Sequence, residues 1–233
     1  MDYLYYPGCS LEGTAKEYDL STRALMEALG VGLLELPGWS CCGATAAEAA
    51  GRLLSLALPA RNLALADGMD QDLDILAPCS ACYLNLKRTE EDGLADPALR
   101  EKINLILAEV GLQWTGRPRT RHLLDVLTRD LGPEPIRDRV VRPLTGLSVA
   151  PYYGCQCLRP YAIFDDPEYP VSMEPLIRAV GAEVWPWSMA GRCCGASHTT
   201  TKPEAGRVLV EAILAEARGA DALVTVCPMC QMN

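Results

Sequence analysis

Eleven cysteines stand at positions 9, 41, 42, 79, 82, 155, 157, 193, 194, 227 and 230. With Cys157 set aside, they form two sets of five in one order. The first runs Cys9, 31 residues, Cys41-Cys42-Gly43, 35 residues, then Cys79-x-x-Cys82. The second runs Cys155, 37 residues, Cys193-Cys194-Gly195, 31 residues, then Cys227-x-x-Cys230. Clustered reduced thiols ligate metals or exchange electrons, and three chemistries compete for them. Structural zinc takes four ligands in a closed tetrahedron and leaves one thiolate of each set over. Disulfides between adjacent cysteines are strained. Iron–sulfur clusters accept all-thiolate ligation, but an ordinary cubane uses four, so a fifth cysteine asks for another kind of cluster or serves as a partner thiol. The pattern favours iron–sulfur.

The flanks repeat as well. Tyr5-Tyr6-Pro7-Gly8-Cys9 answers to Tyr152-Tyr153-Gly154-Cys155, and Cys41-Cys42-Gly43-Ala44-Thr45 to Cys193-Cys194-Gly195-Ala196-Ser197. This is an internal duplication. In the first copy the patterning predicts strands over 3–6, 31–36 and 74–77, with helices over 15–29 and 44–66. In the second it predicts strands over 147–153, 183–187 and 222–226, with helices over 172–180 and 203–218. Strand–helix alternation implies parallel sheets with right-handed crossovers, an α/β class of two tandem, similar, Rossmann-like βαβαβ domains. The carboxyl ends of parallel strands share one edge, where ligands bind in such folds. Each cysteine group follows a strand, so residues dozens apart would meet there. Helix N-termini at that edge favour thiolates. Gly43 and Gly195 fit a turn that needs an unusual dihedral or a close backbone approach.

Between the copies the sequence predicts a helical insertion over 97–110 and 118–131, then a linker through Gly132-Pro133-Glu134-Pro135 and the basic stretch 137–142. The domains are therefore expected at 1–145 and 146–233. The sequence ends three residues after Cys230. Because termini fray, the expectation is a second domain whose C-terminal part continues past Asn233.

Composition narrows the function. The 233 residues are 49% hydrophobic and 22% charged, which supports a packed core rather than disorder. With 21 basic against 30 acidic residues the net charge is −9, unlike a nucleic-acid binder. There is no long uncharged apolar run for a membrane span and no signal-peptide pattern at the N-terminus, so a cytoplasmic location is expected. The chain carries neither a GxGxxG fingerprint nor the clustered cysteine run of a ferredoxin. Electrons are therefore expected to arrive from another protein.

The duplicated pattern of one cysteine, a Cys-Cys-Gly and a Cys-x-x-Cys resembles the cysteine-rich CCG domain family. Within it, Tyr5-Tyr6-Pro7-Gly8-Cys9-Ser10 and Cys227-Pro228-Met229-Cys230-Gln231-Met232-Asn233 resemble the B subunits of heterodisulfide reductases. The resemblance spans essentially the whole chain. It implies two noncubane 4Fe–4S clusters, one held by Cys9, Cys41, Cys42, Cys79 and Cys82, the other by Cys155, Cys193, Cys194, Cys227 and Cys230. It implies reduction of a disulfide to two thiols with one electron from each cluster, coenzyme M and coenzyme B being the thiols in methanogens. It also implies a multisubunit complex with a ferredoxin-like iron–sulfur protein, the C subunit, and a flavin-containing one, the A subunit. The same domains occur in electron-transfer subunits of flavin-dependent dehydrogenases acting on succinate, lactate or glycolate, which is the competing reading.

Cys41, Cys42, Cys193 and Cys194 are the candidate catalytic positions, and His198, just after the second Cys-Cys-Gly, is a candidate proton donor to a leaving thiolate. Arg159, Arg192 and Lys202 are candidate contacts for an anionic substrate. His122 is expected on the surface of an amphipathic helix. Cys157 is expected as a buried filler, and Trp185 and Trp187 as packing residues on a strand.

Overall fold

Strand β1 (Asp2–Tyr5) puts Tyr3, Leu4 and Tyr5 in the interior of the first sheet. The computed structural model describes residues 1–69, 71–199 and 201–233, and its chain divides into two units, Met1–His122 and Leu123–Asn233. After β1 come α1 (Gly8–Glu12), α2 (Lys16–Ala28) and β2 (Gly32–Glu35). Helices α3 (Ala46–Ala50) and α4 (Arg52–Asp67) lead to β3 (Ile75–Ala77), and α5 (Ser80–Ala95) and α6 (Pro97–Ala108) to β4 (Thr120–His122). All neighbouring strands are parallel, in the order β2-β1-β3-β4.

Local chemistry explains the elements. Helix α2 ends just before Gly30, whose φ of +73° lets the chain turn into β2. The side chain of Asp96 caps α6 by accepting from the Ala98 and Leu99 N–H groups at 3.0 and 3.2 Å, with Pro97 in the first turn. Helix α4 buries Leu56, Ala60, Leu63 and Ala64, as its Ala/Leu-rich pattern requires.

Three local expectations change. The helix expected over 44–66 is two helices, interrupted at Gly51. Residues 80–95, which carry no assignment in the sequence pattern, form α5. The helix expected over 118–131 starts instead as a strand: Thr120 and His122 face inward, with Arg121 between them only half-buried, and pair in register with Ile75 and Ala77. That alternation is the period of a strand, too short to stand out from its flanks.

In the second unit α7 (Leu123–Asp125) continues as a wide helical turn over Val126–Leu131, followed by α8 (Pro133–Arg137). Then come β5 (Ser148–Tyr152), α9 (Met173–Ala179), β6 (Glu183–Val184), α10 (Pro203–Glu216), β7 (Ala222–Thr225) and α11 (Pro228–Gln231). The sheet is parallel with order β6-β5-β7, repeating the β2-β1-β3 core of the first unit. Trp187 packs on the core of Tyr152, Cys194 and Ile213, as a packing residue should. The expected division at 145/146 and the observed one after His122 differ because residues 123–145 pack onto the second unit. Arg129 Nη2 donates to the Ile163 carbonyl at 2.7 Å, and Leu144 N–H donates to the Val180 carbonyl at 2.9 Å. Among the described residues no helix is long and apolar enough to cross a membrane.

Candidate metal centre

In the first unit the loops after β1, β2 and β3 deliver the cysteines to one edge of the sheet. Cys9 sits in α1, Cys41 and Cys42 in the loop beyond β2, Cys79 caps α5, and Cys82 lies in its first turn. The sulfurs of Cys9 and Cys41 are 3.7 Å apart, and those of Cys42 and Cys82 are 3.5 Å apart. In the second unit the sulfurs of Cys194 and Cys230 are 3.4 Å apart, and Cys155 hydrogen-bonds to Cys193. The Gly43 N–H donates to Cys41 Sγ at 3.4 Å, and the Gly195 N–H to Cys193 Sγ at 3.3 Å. Both glycines have left-handed φ, +77° and +78°, as expected of the turn after each pair. In each set the outer cysteines, Cys9 and Cys41 or Cys193, reach solvent, while Cys42, Cys79 and Cys82, or Cys194 and Cys227, are buried.

Backbone approaches sulfur closely in both copies. A Cβ on Gly8 would stand 2.7 Å from Cys82 Sγ, and one on Gly154 3.2 Å from Cys230 Sγ. Each site is thus a cradle in which a glycine leaves room for the last cysteine of its set. The donor set is all sulfur, the ligation iron–sulfur clusters use. The sulfurs meet in pairs across loops, and among the described residues no group of three or more His, Cys, Asp or Glu is placed to hold one metal ion. A multi-iron group, with ligands spread over several metal atoms, fits this arrangement better than a single zinc.

The electrostatics follow from shared protons. Hydrogen bonds shared with the Cys41 and Cys82 sulfurs hold Cys42 at about 3 despite its burial. The same bonds, with burial, push Cys41 and Cys82 up. The thiol of Cys155 brings Cys193 down to about 6, with smaller help from His198 and Arg159, and Cys230 brings Cys194 down to about 7. A thiolate therefore lies within each group, and full deprotonation of the set calls for compensating positive charge, such as bound iron supplies.

Two tyrosines belong to the site although their residue type gives no signal of it. Tyr6 and Tyr152 each precede the first cysteine of their set by three residues. The Tyr6 hydroxyl donates to the Ser40 carbonyl, and that of Tyr152 to the Arg192 carbonyl, each at 2.7 Å and each just before a Cys-Cys pair. Trp39 and Trp187 meet these rings edge-on, at 5.4 and 6.0 Å. Counting back from the cysteine, Tyr6 therefore corresponds to Tyr152, a register that Pro7 obscures in the sequence.

The other candidates scatter. His198 is exposed in the turn Ala196–His198, near enough for its charge to favour the Cys193 thiolate. Arg159 also acts on Cys193 but pairs with Glu168 at 3.0 Å. Arg192 lines a cavity with Glu174 and Trp187, and exposed Lys202 stands just before α10 without a side-chain bond to it. His122 is not on a surface helix: it is fully buried at the end of β4, 3.2 Å from Ser80 Oγ and edge-on to Tyr83. It thus backs the start of the helix that carries Cys82. Cys157 is buried as expected, its thiol donating to the Tyr153 carbonyl at 3.2 Å. A cavity of about 520 Å³ opens beside Cys9 and Cys41, lined also by Glu12, Glu35, Trp39 and Ser40.

The cysteine-rich domain CCG matches residues 3–87 and 149–233. The 8-methylmenaquinol:fumarate reductase membrane anchor subunit of Wolinella succinogenes is 35% identical over 236 residues, covering 100% of this chain and 81% of that protein. A protein of Archaeoglobus profundus named as like the B subunit of heterodisulfide reductase is 31% identical over 237 residues, covering 98% of this chain and 79% of the other. The B subunit of the ferredoxin/F(420)H(2)-dependent CoB-CoM heterodisulfide reductase of Methanosarcina acetivorans is 31% identical over 235 residues, covering 98% and 77%. A solved structure, a hypothetical protein from Helicobacter pylori, superposes with a TM-score of 0.71 at 15% identity, over 98% of this chain and 42% of that one. That likeness is one of fold.

Proposed function

This chain belongs to the cysteine-rich CCG domain family, of which it carries two copies, and we propose that it is the iron–sulfur subunit of a disulfide reductase of the heterodisulfide reductase kind. The carrying observation is the convergence of five cysteines at the strand edge in each unit, with the Cys42–Cys82 contact of 3.5 Å repeated as Cys194–Cys230 at 3.4 Å. Cys9, Cys41, Cys42, Cys79 and Cys82 would hold one noncubane 4Fe–4S cluster, and Cys155, Cys193, Cys194, Cys227 and Cys230 the other. Such clusters carry electrons one at a time. Splitting a disulfide into two thiols consumes two electrons and two protons, which matches two one-electron centres.

The remaining steps fall to the protein's own groups. In the first unit Cys9 and Cys41 are exposed to an approaching disulfide, and in the second unit Cys193 is. The cavity beside Cys9 and Cys41 gives it room on the first unit. His198, exposed next to Cys193, is placed to hand a proton to a departing thiolate there. Electrons would come from partners of the ferredoxin-like and flavin-bearing kinds.

The test is the metal and acid-labile sulfide content of protein purified without oxygen. The expected result is about eight iron and eight sulfide per chain, with a brown colour. Zinc without sulfide overturns the reading. A second reading is favoured by the similarity to the fumarate reductase protein of Wolinella succinogenes: an electron-transfer subunit of a flavin-dependent dehydrogenase. Protein reduced by dithionite and freed of it separates the two. Release of thiol from added small disulfides, matched by reoxidation of the protein, supports the first. Inertness toward disulfides, with reoxidation by a flavoprotein partner, supports the second.

A further inference from the structure

An asparagine follows the last cysteine of each set by three residues: Asn85 after Cys82, and Asn233 after Cys230. Asn85 is buried near the start of α5, and its Nδ2 donates to the Cys42 carbonyl at 3.2 Å while lying 3.8 Å from Cys42 Sγ. Asn233 Nδ2 donates to the Cys194 carbonyl at 2.7 Å. The hydroxyl of Thr199 in turn donates to Asn233 Oδ1. The same side chain therefore makes the same bond to the same main-chain atom in both repeats. It ties the Cys-Cys-Gly loop to the helical turn that follows Cys-x-x-Cys. The residue type is apt. A carbonyl this close to sulfur needs a donor, and an amide provides one without charge, whereas a carboxylate would repel the thiolates.

We propose that Asn85 and Asn233 are positioning residues that set the spacing between the two cysteine motifs in their unit, and so the retention and potential of the group held there. The second half of that statement rests on the proposed iron–sulfur reading, while the first does not. Groups that orient metal ligands typically change metal affinity about 10- to 100-fold when removed.

The test uses the full chain with Asn85→Leu, Asn233→Leu and Asn85→Asp, each checked for folding by circular dichroism. In anaerobic protein given an iron chelator, N85L should lose half of its iron about tenfold faster than wild type and the other half at the wild-type rate, and N233L should behave likewise. N85D should lower the midpoint potential of one cluster and leave the other in place, a shift that a merely packing residue would not cause. In metal-free protein, iodoacetamide followed by peptide mass spectrometry should show Cys42 alkylated about tenfold faster in N85L, measured against buried Cys157, with Cys194 unchanged. The reverse pattern is expected for N233L. Wild-type iron release and alkylation in both leucine variants overturn the proposal. A wild-type protein without iron and sulfide overturns the cluster reading instead, and the alkylation ratios then decide the brace alone. Should N85L not fold, N233L, at a half-exposed position, carries the test.

Discussion

The sulfur of Cys42 lies 3.5 Å from that of Cys82 although 40 residues separate them. The contact exists because β2 and β3 both pair with β1 in parallel, so the chain leaves both strands at one edge of the sheet. Of the two, Cys42 carries the lowered pKa, because its hydrogen bonds with the Cys41 and Cys82 sulfurs favour its thiolate. The second unit repeats the arrangement with Cys194 and Cys230.

Each pair therefore has its own consequence. Cys42→Ser should remove the iron of the first set, about four atoms per chain, and leave the second set loaded. Cys194→Ser should do the converse, and either variant should abolish thiol release from a disulfide, since two electrons are needed. Iron analysis alongside a thiol assay checks this. Full turnover by the Cys194→Ser protein would contradict the paired role.

The glycine cradle grades two substitutions. Gly8→Ala and Gly154→Ala both force alanine into left-handed backbone, at φ of +73° and +68°, costing about 1–2 kcal/mol each. The new methyl would crowd sulfur in both, but far more at Gly8, 2.7 Å from Cys82 Sγ against 3.2 Å from Cys230 Sγ, where a shift of a few tenths of an ångström relieves it. The G8A protein should lose its first set's iron during desalting, while G154A keeps most of its second. Equal retention in the two variants would show that backbone strain alone governs the site.

These sites are unequally legible in the sequence. The order of the cysteines, the parallel strands they follow and the duplication can be read from spacing, because one edge of a parallel sheet collects whatever follows each strand. Strand β4 cannot be read that way, since three residues leave only one alternation and Leu123 to Leu131 continue in helical conformation. The surface position expected for His122 fails for the same reason. Tyr6 and Tyr152 carry their signal in an offset from the cysteine rather than in residue type, and Pro7 hides that offset in one copy. The break of the 44–66 helix at Gly51 is a single-residue event inside an otherwise helical composition.

The tyrosine bonds are testable by themselves. Tyr6→Phe leaves the Ser40 carbonyl without its hydroxyl donor, and Tyr152→Phe does the same for Arg192. Each should cost about 1–2 kcal/mol. Burial, and then the neighbouring cysteines, raise both hydroxyls above their ordinary value. A raised folded-state value means the bond's contribution is complete below the unfolded value near 10 and is lost only as pH rises past it. The destabilisation should therefore be the same at about pH 6 and about pH 9, as urea unfolding at both values would show. A deficit that shrinks by pH 9 would mean that the hydroxyl ionises in the folded protein.

Glu90 anchors the helix that presents Cys82. Fully buried on α5, it accepts from Lys87 Nζ at 2.9 Å, from Arg119 Nη1 at 3.1 Å and from the Thr120 N–H at 2.7 Å, joining α5 to β4. Lys87 is itself buried, and its other carboxylate, Glu91, lies farther off at 3.7 Å and nearer solvent. Glu90→Ala would strand that ammonium in the interior and leave a strand N–H unmatched, a loss of about 3–5 kcal/mol. Replacing both ends of the pair, as in Lys87→Met with Glu90→Gln, removes the stranded charge while the glutamine oxygen still accepts from Thr120. The double variant should therefore recover more than half of the deficit. Urea titration of the three proteins checks the order. If Glu90→Ala unfolds within about 0.5 kcal/mol of wild type, the ion pair is not what holds α5 to the sheet, and the position of Cys82 must depend on the apolar face of that helix instead.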